Sequence, residues 1–515
     1  MGNPFDHKQP LQPLQGGMLW LAALVLAAAN FVAVLDMTIA NVSVPSIAGG
    51  LGATTSQGTW VITSYAVAEA ITVPLTGWLA NRFGAVRVFT ISMGAFGLFS
   101  ALCGLADSLG LLVLARIFQG LAGGPLMPLS QTLLLRIFPA EKAGAAIGLW
   151  SMTTLIAPVL GPILGGYLCD NYSWPWIFWI NLPIAVACAW AAWRLLKRYE
   201  EPLQRNPFDL TGLVLLIVWV GALQLVLDEG KNLDWFASIE IITLSIVAVI
   251  GFAAFMIWEL HEDHPVVDLR VFRHRGFSVS VLTISLAFAA FFGANVLTPQ
   301  WLQGYMGYTP TEAGHTTAWT GVLAILVAPM AAGMSMKMDA RKLVFFGVMW
   351  LGAITAWRTI ATTDMTYWDI ALPLLLLGVG LPFFFVPLSG LALSSVEPKE
   401  TASAAGLMNF LRTLSGAFAT SLITTMWDDK TTQNHAELVA ISDPGGVTHA
   451  QMINQGMSPD MANQMLDRLI TSQSVMLATN QIMAIVAAAF VIAAMAIWLA
   501  PKPTRSIDPA ASGGH

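Results

Sequence analysis

Three charged side chains stand where the surrounding sequence is apolar. Asp36 interrupts a run that begins at Met18, inside NFVAVLDMTIANVSVP (30–45). Glu69 sits in WVITSYAVAEAITVPLTGWLA (60–80), and Arg116 in LARIFQG (114–120) with Gln119 one turn on. A charge in hydrocarbon costs about 2.5–3.5 kcal/mol on insertion scales, so such groups pair, face an interior or handle ions. Burial favours a neutral carboxyl and a nearby guanidinium favours its anion, so a group balanced between the two can bind a proton or a cationic solute, but poorly both. That exclusion is what exchange of a proton for a solute requires. The depths of Asp36, Glu69 and Arg116 along their runs are compatible with one shared cavity. Asn409 and Arg412 are candidates for its opposite wall, and Asn41 and Gln119 for further polar lining. Two structural readings stay open. Asp36 can satisfy backbone donors or snorkel to water, and Glu69 can simply pair with Arg116. Arg358, toward the outer end of its run, is placed to snorkel.

These side chains need elements to carry them, and the composition says which. Of 515 residues, 56% are hydrophobic and 10% charged, with a mean hydropathy of +0.68. A soluble domain carries about 25% charged residues, so this chain is expected to be an all-α polytopic membrane protein. Runs long enough for a helix to cross the bilayer recur near 18–41, 57–79, 86–106, 109–135, 143–168, 175–194, 210–228, 238–259, 277–300, 316–336, 342–361, 369–391, 402–426 and 475–499. That predicts fourteen spans. With the N-terminus inside, all but six of the 24 Lys and Arg fall on the cytoplasmic side; Lys231, Lys430 and Arg468 fall outside, and Arg116, Arg358 and Arg412 lie within spans. The bias fits the positive-inside rule and predicts that both termini are cytoplasmic.

AGAAIGLWSMTTLIA (143–157) echoes ASAAGLMNFLRTLSG (402–416), and KMDARK (337–342) occupies the place of NRFGAVR (81–87). Such repeats mark transporters built from two halves. The expected organisation is a cytoplasmic N-terminus (1–17), a first six-helix half (18–194), a cytoplasmic linker (195–209), two inserted helices with their loop (210–276), a second half (277–499) and a cytoplasmic tail (500–515). The N-terminal stretch shows no cleavable signal pattern. Cys103, Cys169 and Cys188 lack ligand spacing, and no P-loop, HExxH or nucleophile elbow appears. No cofactor, metal or nucleic acid is therefore expected, and an ion gradient is the expected energy source. Trp20, Trp60, Trp193 and Trp301 lie near run ends, as interfacial anchors do, and no binding aromatic stands out.

Three motifs join the spans. GWLANRFGAVR (77–87) offers Gly77 for close helix approach, Gly84 for a tight turn, and Asn81, Arg82 and Arg87 at the membrane face; the plain alternative is a basic turn. LARIFQG puts Arg116 inside a helix, where pairing with a neighbouring carboxylate is the alternative. APVLGPILGG (157–166) combines Pro158 and Pro162, which remove backbone donors, with Gly161, Gly165 and Gly166, a small-residue face for helix packing.

Together these motifs resemble the major facilitators, specifically the fourteen-span drug/proton antiporter branch. LDMTIANVSVP (35–45) is similar to that branch's first-helix motif, and WPWIFWINLPI and PLMPLSQTLLL resemble the EmrB-type exporters of Gram-negative bacteria. The resemblance implies a proton-coupled multidrug efflux antiporter of the inner membrane; Asp36, Glu69 and Arg116 are its candidate coupling residues on the reading of depth and charge above, and the resemblance carries no role over to Glu69. It also implies a tripartite pump, with an EmrA-type periplasmic adaptor and an outer-membrane channel. Exporters of one metabolite or siderophore, and sensors on a transporter-like fold, are the competing readings. The chain departs from the loop motif at Asn81, where the family usually carries an acid. Residues 427–474 read as an external loop. Within it, Met461, Met465, Leu466 and Leu469 fall at helical spacing, one apolar stripe that either receives a partner or caps the exporter's own mouth.

Overall fold

The structure is a computed structural model that describes Leu14, Leu203 and residues 16–139, 142–200, 209–335, 337–442 and 447–501; most of the expected N-terminus, linker and tail lies outside these. Every regular element among the described residues is helical. In chain order they are α1 (Gly16–Gly50), α2 (Thr55–Gly58), α3 (Trp60–Thr72), α4 (Thr76–Phe83), α5 (Ala85–Gly104), α6 (Leu109–Gly123), α7 (Leu126–Ile137), α8 (Ala143–Asn171), α9 (Trp176–Trp179) and α10 (Asn181–Leu196). There follow α11 (Leu210–Glu229), α12 (Ile239–His261), α13 (Arg275–Tyr305), α14 (Pro310–Ser335), α15 (Ala340–Trp357), α16 (Tyr367–Ser394), α17 (Thr401–Ser442), α18 (Val447–Asn454) and α19 (Pro459–Ala496).

Among the described residues, eleven helices are long and apolar enough to cross a membrane, or up to twelve if Gly144–Pro158 and Leu160–Asn171, bent by 43°, form one span. The bend falls between Pro158 and Pro162, each of which removes a donor from the helix ladder. Two expected spans, 57–79 and 402–426, are helical but fall outside that set. The first is broken between α3 and α4 at Val73–Leu75, around Pro74. The second lies in α17, where Asn409, Arg412 and several hydroxyl side chains dilute the apolar run. Ile91, Leu98, Trp190, Ile250 and Ile492 are all exposed, as side chains facing lipid must be. Trp301, expected at an interface, is buried instead.

α1 packs on α8 and α10, α3 on α6, and α5 on α6 and α10; α13 packs on α17 and α19, α14 on α16, and α15 on α16 and α19. The two bundles meet where α8 runs along α14, and α17 along α4 and α7. The sequence echo has a structural counterpart here. At the start of α8, a Cβ on Gly148 would lie 2.9 Å from the Ala332 Cβ; at the start of α17, one on Gly406 would lie 2.9 Å from the Val73 carbonyl oxygen. Both echoing segments therefore press small residues against the opposite bundle.

The expected external segment is mostly helix rather than loop. α17 continues to Ser442, about 24 Å beyond residue 426 at 1.5 Å per residue. Lys430 donates to Gln433 (2.9 Å) and Gln433 to Glu437 (3.2 Å), side-chain pairs that support a helix in water. Ser458 caps α19, with Pro459 in the first turn. Met461, Met465 and Leu469 are exposed, whereas Ala462 is buried and Leu466 half-buried. The stripe thus points away from the protein's own body.

Candidate functional site

Two buried polar clusters lie side by side, one within the first bundle and one between the bundles. The first centres on Asp36, fully buried on α1. Arg116 Nη1 donates to its Oδ2 at 2.5 Å. Gln119 Nε2 and Asn181 Nδ2 donate to its Oδ1 at 3.0 and 2.7 Å. Every one of these contacts is a donor, the set that suits a carboxylate anion. Arg116 is held in turn: its Nε donates to the Val61 carbonyl (3.0 Å), its Nη1 to Gln119 Oε1 (2.9 Å), and its guanidinium lies over the Tyr65 ring at 4.1 Å. Asn181 also donates to Ser100 Oγ at 3.1 Å.

The glycines beyond Gln119 explain how α6 brings these groups together. A Cβ on Gly120 would sit 2.5 Å from the Tyr65 carbonyl oxygen, one on Gly123 2.7 Å from the Tyr65 hydroxyl, and one on Gly124 2.7 Å from Thr72 Oγ1. α6 therefore rides directly on α3. Glu69, one turn along α3 from Tyr65, is buried. Its carboxylate accepts no hydrogen bond among the described residues, and it feels the charges of Arg116, Asp36 and Arg412. Arg116 thus pairs with Asp36 and not with Glu69. Gln119, expected as cavity lining, is part of the Asp36 network. Asn41 is exposed on α1 and joins neither cluster.

The second cluster centres on Arg412 of α17, 3% exposed. Its guanidinium lies 4.9 Å from the Phe288 ring centre, 5.5 Å from Phe385 and 5.9 Å from Trp150. Nη2 abuts Met127 Sδ at 2.6 Å, and Nη1 has no partner among the described residues. Trp150 stacks on Phe385 with centroids 5.8 Å apart and donates its Nε1 to Ser130 Oγ at 2.9 Å. Asn409 Nδ2 reaches across the bundles to Gln131 Oε1 at 3.3 Å. Asn30 donates to Thr153 and Thr154 at 2.8 Å. Asn30 Oδ1, Gln131 Nε2 and Asn409 Oδ1 are buried without partners among the described residues. A buried polar atom left unpaired costs about 1–3 kcal/mol, so this group of orphans marks a place suited to a polar ligand. The sequence had shown Asn409 and Arg412; it had not shown Asn30, Met127, Gln131, Trp150, Phe288, Phe385 or Asn181.

The conformational motifs fall where the helices make their closest approaches. A Cβ on Gly77 would lie 2.7 Å from Ser403 Cα, so α4 touches α17 backbone to backbone. Gly84 has φ +95°, a conformation open to glycine. Arg82 stacks near Trp78 at 6.0 Å, Asn81 is half-buried and Arg87 exposed. In α8, Gly161 and Gly165 approach α1: a Cβ on Gly161 would lie 2.2 Å from Thr38 Oγ1 and one on Gly165 3.0 Å from the Ile39 carbonyl oxygen. Gly166, expected on the same face, meets open space. Arg358 donates to Thr298 Oγ1 at 2.6 Å instead of snorkelling.

The profile of the Major Facilitator Superfamily matches residues 26–420. Multidrug export protein EmrB of Escherichia coli (strain K12) is 42% identical over 512 residues, covering 98% of this chain and 100% of that protein. Fatty acid resistance protein FarB of Neisseria gonorrhoeae is 42% identical over 507 residues, covering 98% and 99%. The solved structure of the proton:xylose symporter XylE, bound to 6-bromo-6-deoxy-D-glucose, shares the fold at 14% identity with a TM-score of 0.58, over 94% of this chain and 96% of that one.

Proposed function

The chain belongs to the Major Facilitator Superfamily, and on that premise we propose that it is a proton-coupled multidrug efflux antiporter of the bacterial inner membrane, with fourteen spans and both termini in the cytoplasm. It is a transporter and not an enzyme. One observation carries the substrate reading: a buried guanidinium with one unpartnered nitrogen, Arg412 Nη1, lies against a box of aromatic rings from both bundles, and its charge interacts with that of the buried Glu69 carboxyl. Trp150, Phe288 and Phe385 offer flat apolar faces to the ring or chain of an amphipathic substrate. Arg412 answers an anionic end and Glu69 a cationic one, while Asn30, Gln131 and Asn409 answer neutral polar groups. A box with both signs of charge suits a broad range of lipophilic compounds, and the relatives named for multidrug export and fatty acid resistance support that range.

Alternating access then assigns the loads. The box opens inward to take substrate and outward to release it, and the carboxyl groups of the first bundle carry protons on the return. At Glu69 a proton and a cationic substrate exclude one another. One charge falling through 100 mV supplies about 2.3 kcal/mol, enough to support a solute gradient of roughly tenfold or more. Inverted vesicles given an acidic lumen should accumulate lipophilic anions and cations alike, and a protonophore should abolish that accumulation. Accumulation that ignores the pH gradient would overturn the proton coupling. Uptake of one compound out of a broad panel would favour an exporter of a single metabolite.

The helical extension of α17 and α19 supports a partner outside the membrane, the periplasmic adaptor and outer-membrane channel of a tripartite pump. Its exposed Met461, Met465 and Leu469 on α19, with exposed Val439 and Ile441 on α17, offer apolar contact surface to such a partner. Deleting residues 435–465 should abolish co-purification of an EmrA-type adaptor while vesicle transport continues. Undiminished co-purification would refute docking there, and loss of vesicle transport would show that the extension serves the exporter itself.

A further inference from the structure

The loop between α4 and α5 contains no acid of its own. From Gly77 it reads GWLANRFGAVR, with two arginines and the open N-terminus of α5. The carboxylate found there comes from a residue 113 positions from Arg87: Glu200 Oε2 accepts from the Arg87 N–H at 2.9 Å and Oε1 from the Val86 N–H at 3.2 Å. These are two of the donors that a helix leaves unsatisfied at its start, where the helix dipole also attracts negative charge. Gly84 makes the room. Besides its φ of +95°, a Cβ there would lie 2.4 Å from the Glu200 carboxyl carbon.

The matching loop of the second bundle provides the comparison. There Asp339 caps α15 with its own carboxylate, its Oδ1 accepting from the Arg341 N–H at 3.0 Å, and the Arg341 side chain holds that carboxyl below the usual carboxylate range. Both bundles thus set a carboxylate on the helix that follows the loop. The first bundle borrows its carboxylate from Glu200, just past the 3-10 turn Lys197–Tyr199 that ends α10. The loop's other arm is α4, whose Gly77 lies against Ser403 and whose Thr76 lies beneath Gly406, both on α17 of the opposite bundle.

We propose that Glu200 is a positioning residue of the transport cycle: its carboxylate pins the loop 81–87 to the end of α10 and so holds α4 in the register that seats it on α17. The proposal rests on the alternating-access reading above, in which that seat closes one side of the transporter. Glu200→Gln keeps the shape of the side chain but sets an amide NH2 against a backbone N–H. In vesicles it should lower the maximal export rate about fivefold, the loss expected of one broken cap, with KM unchanged. In purified protein carrying Thr76→Cys, a site fully buried in the native chain, Glu200→Gln should speed maleimide labelling at position 76 while the melting temperature falls by only about 1–2 °C, the shift expected of one lost cap in a chain of this length. Gly84→Ala, whose methyl would displace the same carboxylate and whose backbone is strained at φ +95°, should reproduce both changes with a further fall in melting temperature. Parental export and labelling in Glu200→Gln would overturn the proposal, as would a loss of rate explained by a lowered melting temperature. If the parent itself shows no proton-driven export, the alternating-access reading fails, and the labelling comparison still decides the role of Glu200.

Discussion

Asp36→Asn should abolish proton-driven export and should also make the protein markedly less stable. The amide removes the counter-charge of Arg116, whose guanidinium is itself fully buried. It also turns an NH2 toward a position now filled by donors from Arg116, Gln119 and Asn181. Removing one partner of a buried ion pair costs about 3–5 kcal/mol, most of it from the charge left behind. Loss of export in Asp36→Asn alone would therefore not identify a coupling group. The double variant Asp36→Asn with Arg116→Gln removes both charges and should recover most of the melting temperature. If export stays absent in that folded protein, Asp36 belongs to the coupling machinery; if export returns, the pair is a structural tie. Glu69→Gln supplies the contrast. Its carboxylate has no hydrogen bond to lose among the described residues, so the fold should hold, substrate counterflow without a gradient should persist, and uphill export of cations should stop. Undiminished uphill export by Glu69→Gln would remove Glu69 from the proton path.

The charged residues of the first bundle were legible because their cost in hydrocarbon is high enough to demand a reason. Their pairing was not. Whether Arg116 meets Asp36 or Glu69 depends on how far α6 is rotated and how closely it lies on α3, which Gly120, Gly123 and Gly124 decide through contacts with another helix. Asn181 gave no signal, because one amide in WPWIFWINLPI looks like any polar residue near a membrane face; only the fold aims it at Asp36. The aromatic box was hidden by abundance. Among 26 Phe and 19 Trp, most serve lipid contact or packing, and Trp150, Phe288 and Phe385 are distinguished only by converging from three helices on one guanidinium. The continuation of α17 to Ser442 was missed for another reason. Polar composition reads as loop inside a membrane protein, yet a helix standing in water is expected to be polar, with support from side-chain pairs three and four residues apart.

Arg412→Gln should cost the transporter its anionic substrates and leave its cationic ones. In the native chain the Arg412 guanidinium is packed against Phe288, Phe385 and Trp150, and the Glu69 carboxyl is near enough for its charge to act on it. An anionic substrate would supply the partner that Nη1 lacks. Losing one side of a buried, hydrogen-bonded charge pair costs about 2–5 kcal/mol, so binding of a lipophilic carboxylate should weaken by about thirtyfold or more. A lipophilic cation should bind as well or better, because its repulsion by the guanidinium is gone while the aromatic faces and Glu69 remain. Arg412→Lys separates charge from shape: it keeps the positive charge but loses the planar fork that lies against three rings. It should therefore retain simple carboxylates better than bulky aromatic acids. The measurement is KM for a matched set of anions, cations and neutral compounds in vesicles, with the maximal rate recorded beside it. A uniform rise of KM across all three classes would show that Arg412 shapes the box and does not read substrate charge. A shift confined to the anions would identify it as the residue that does.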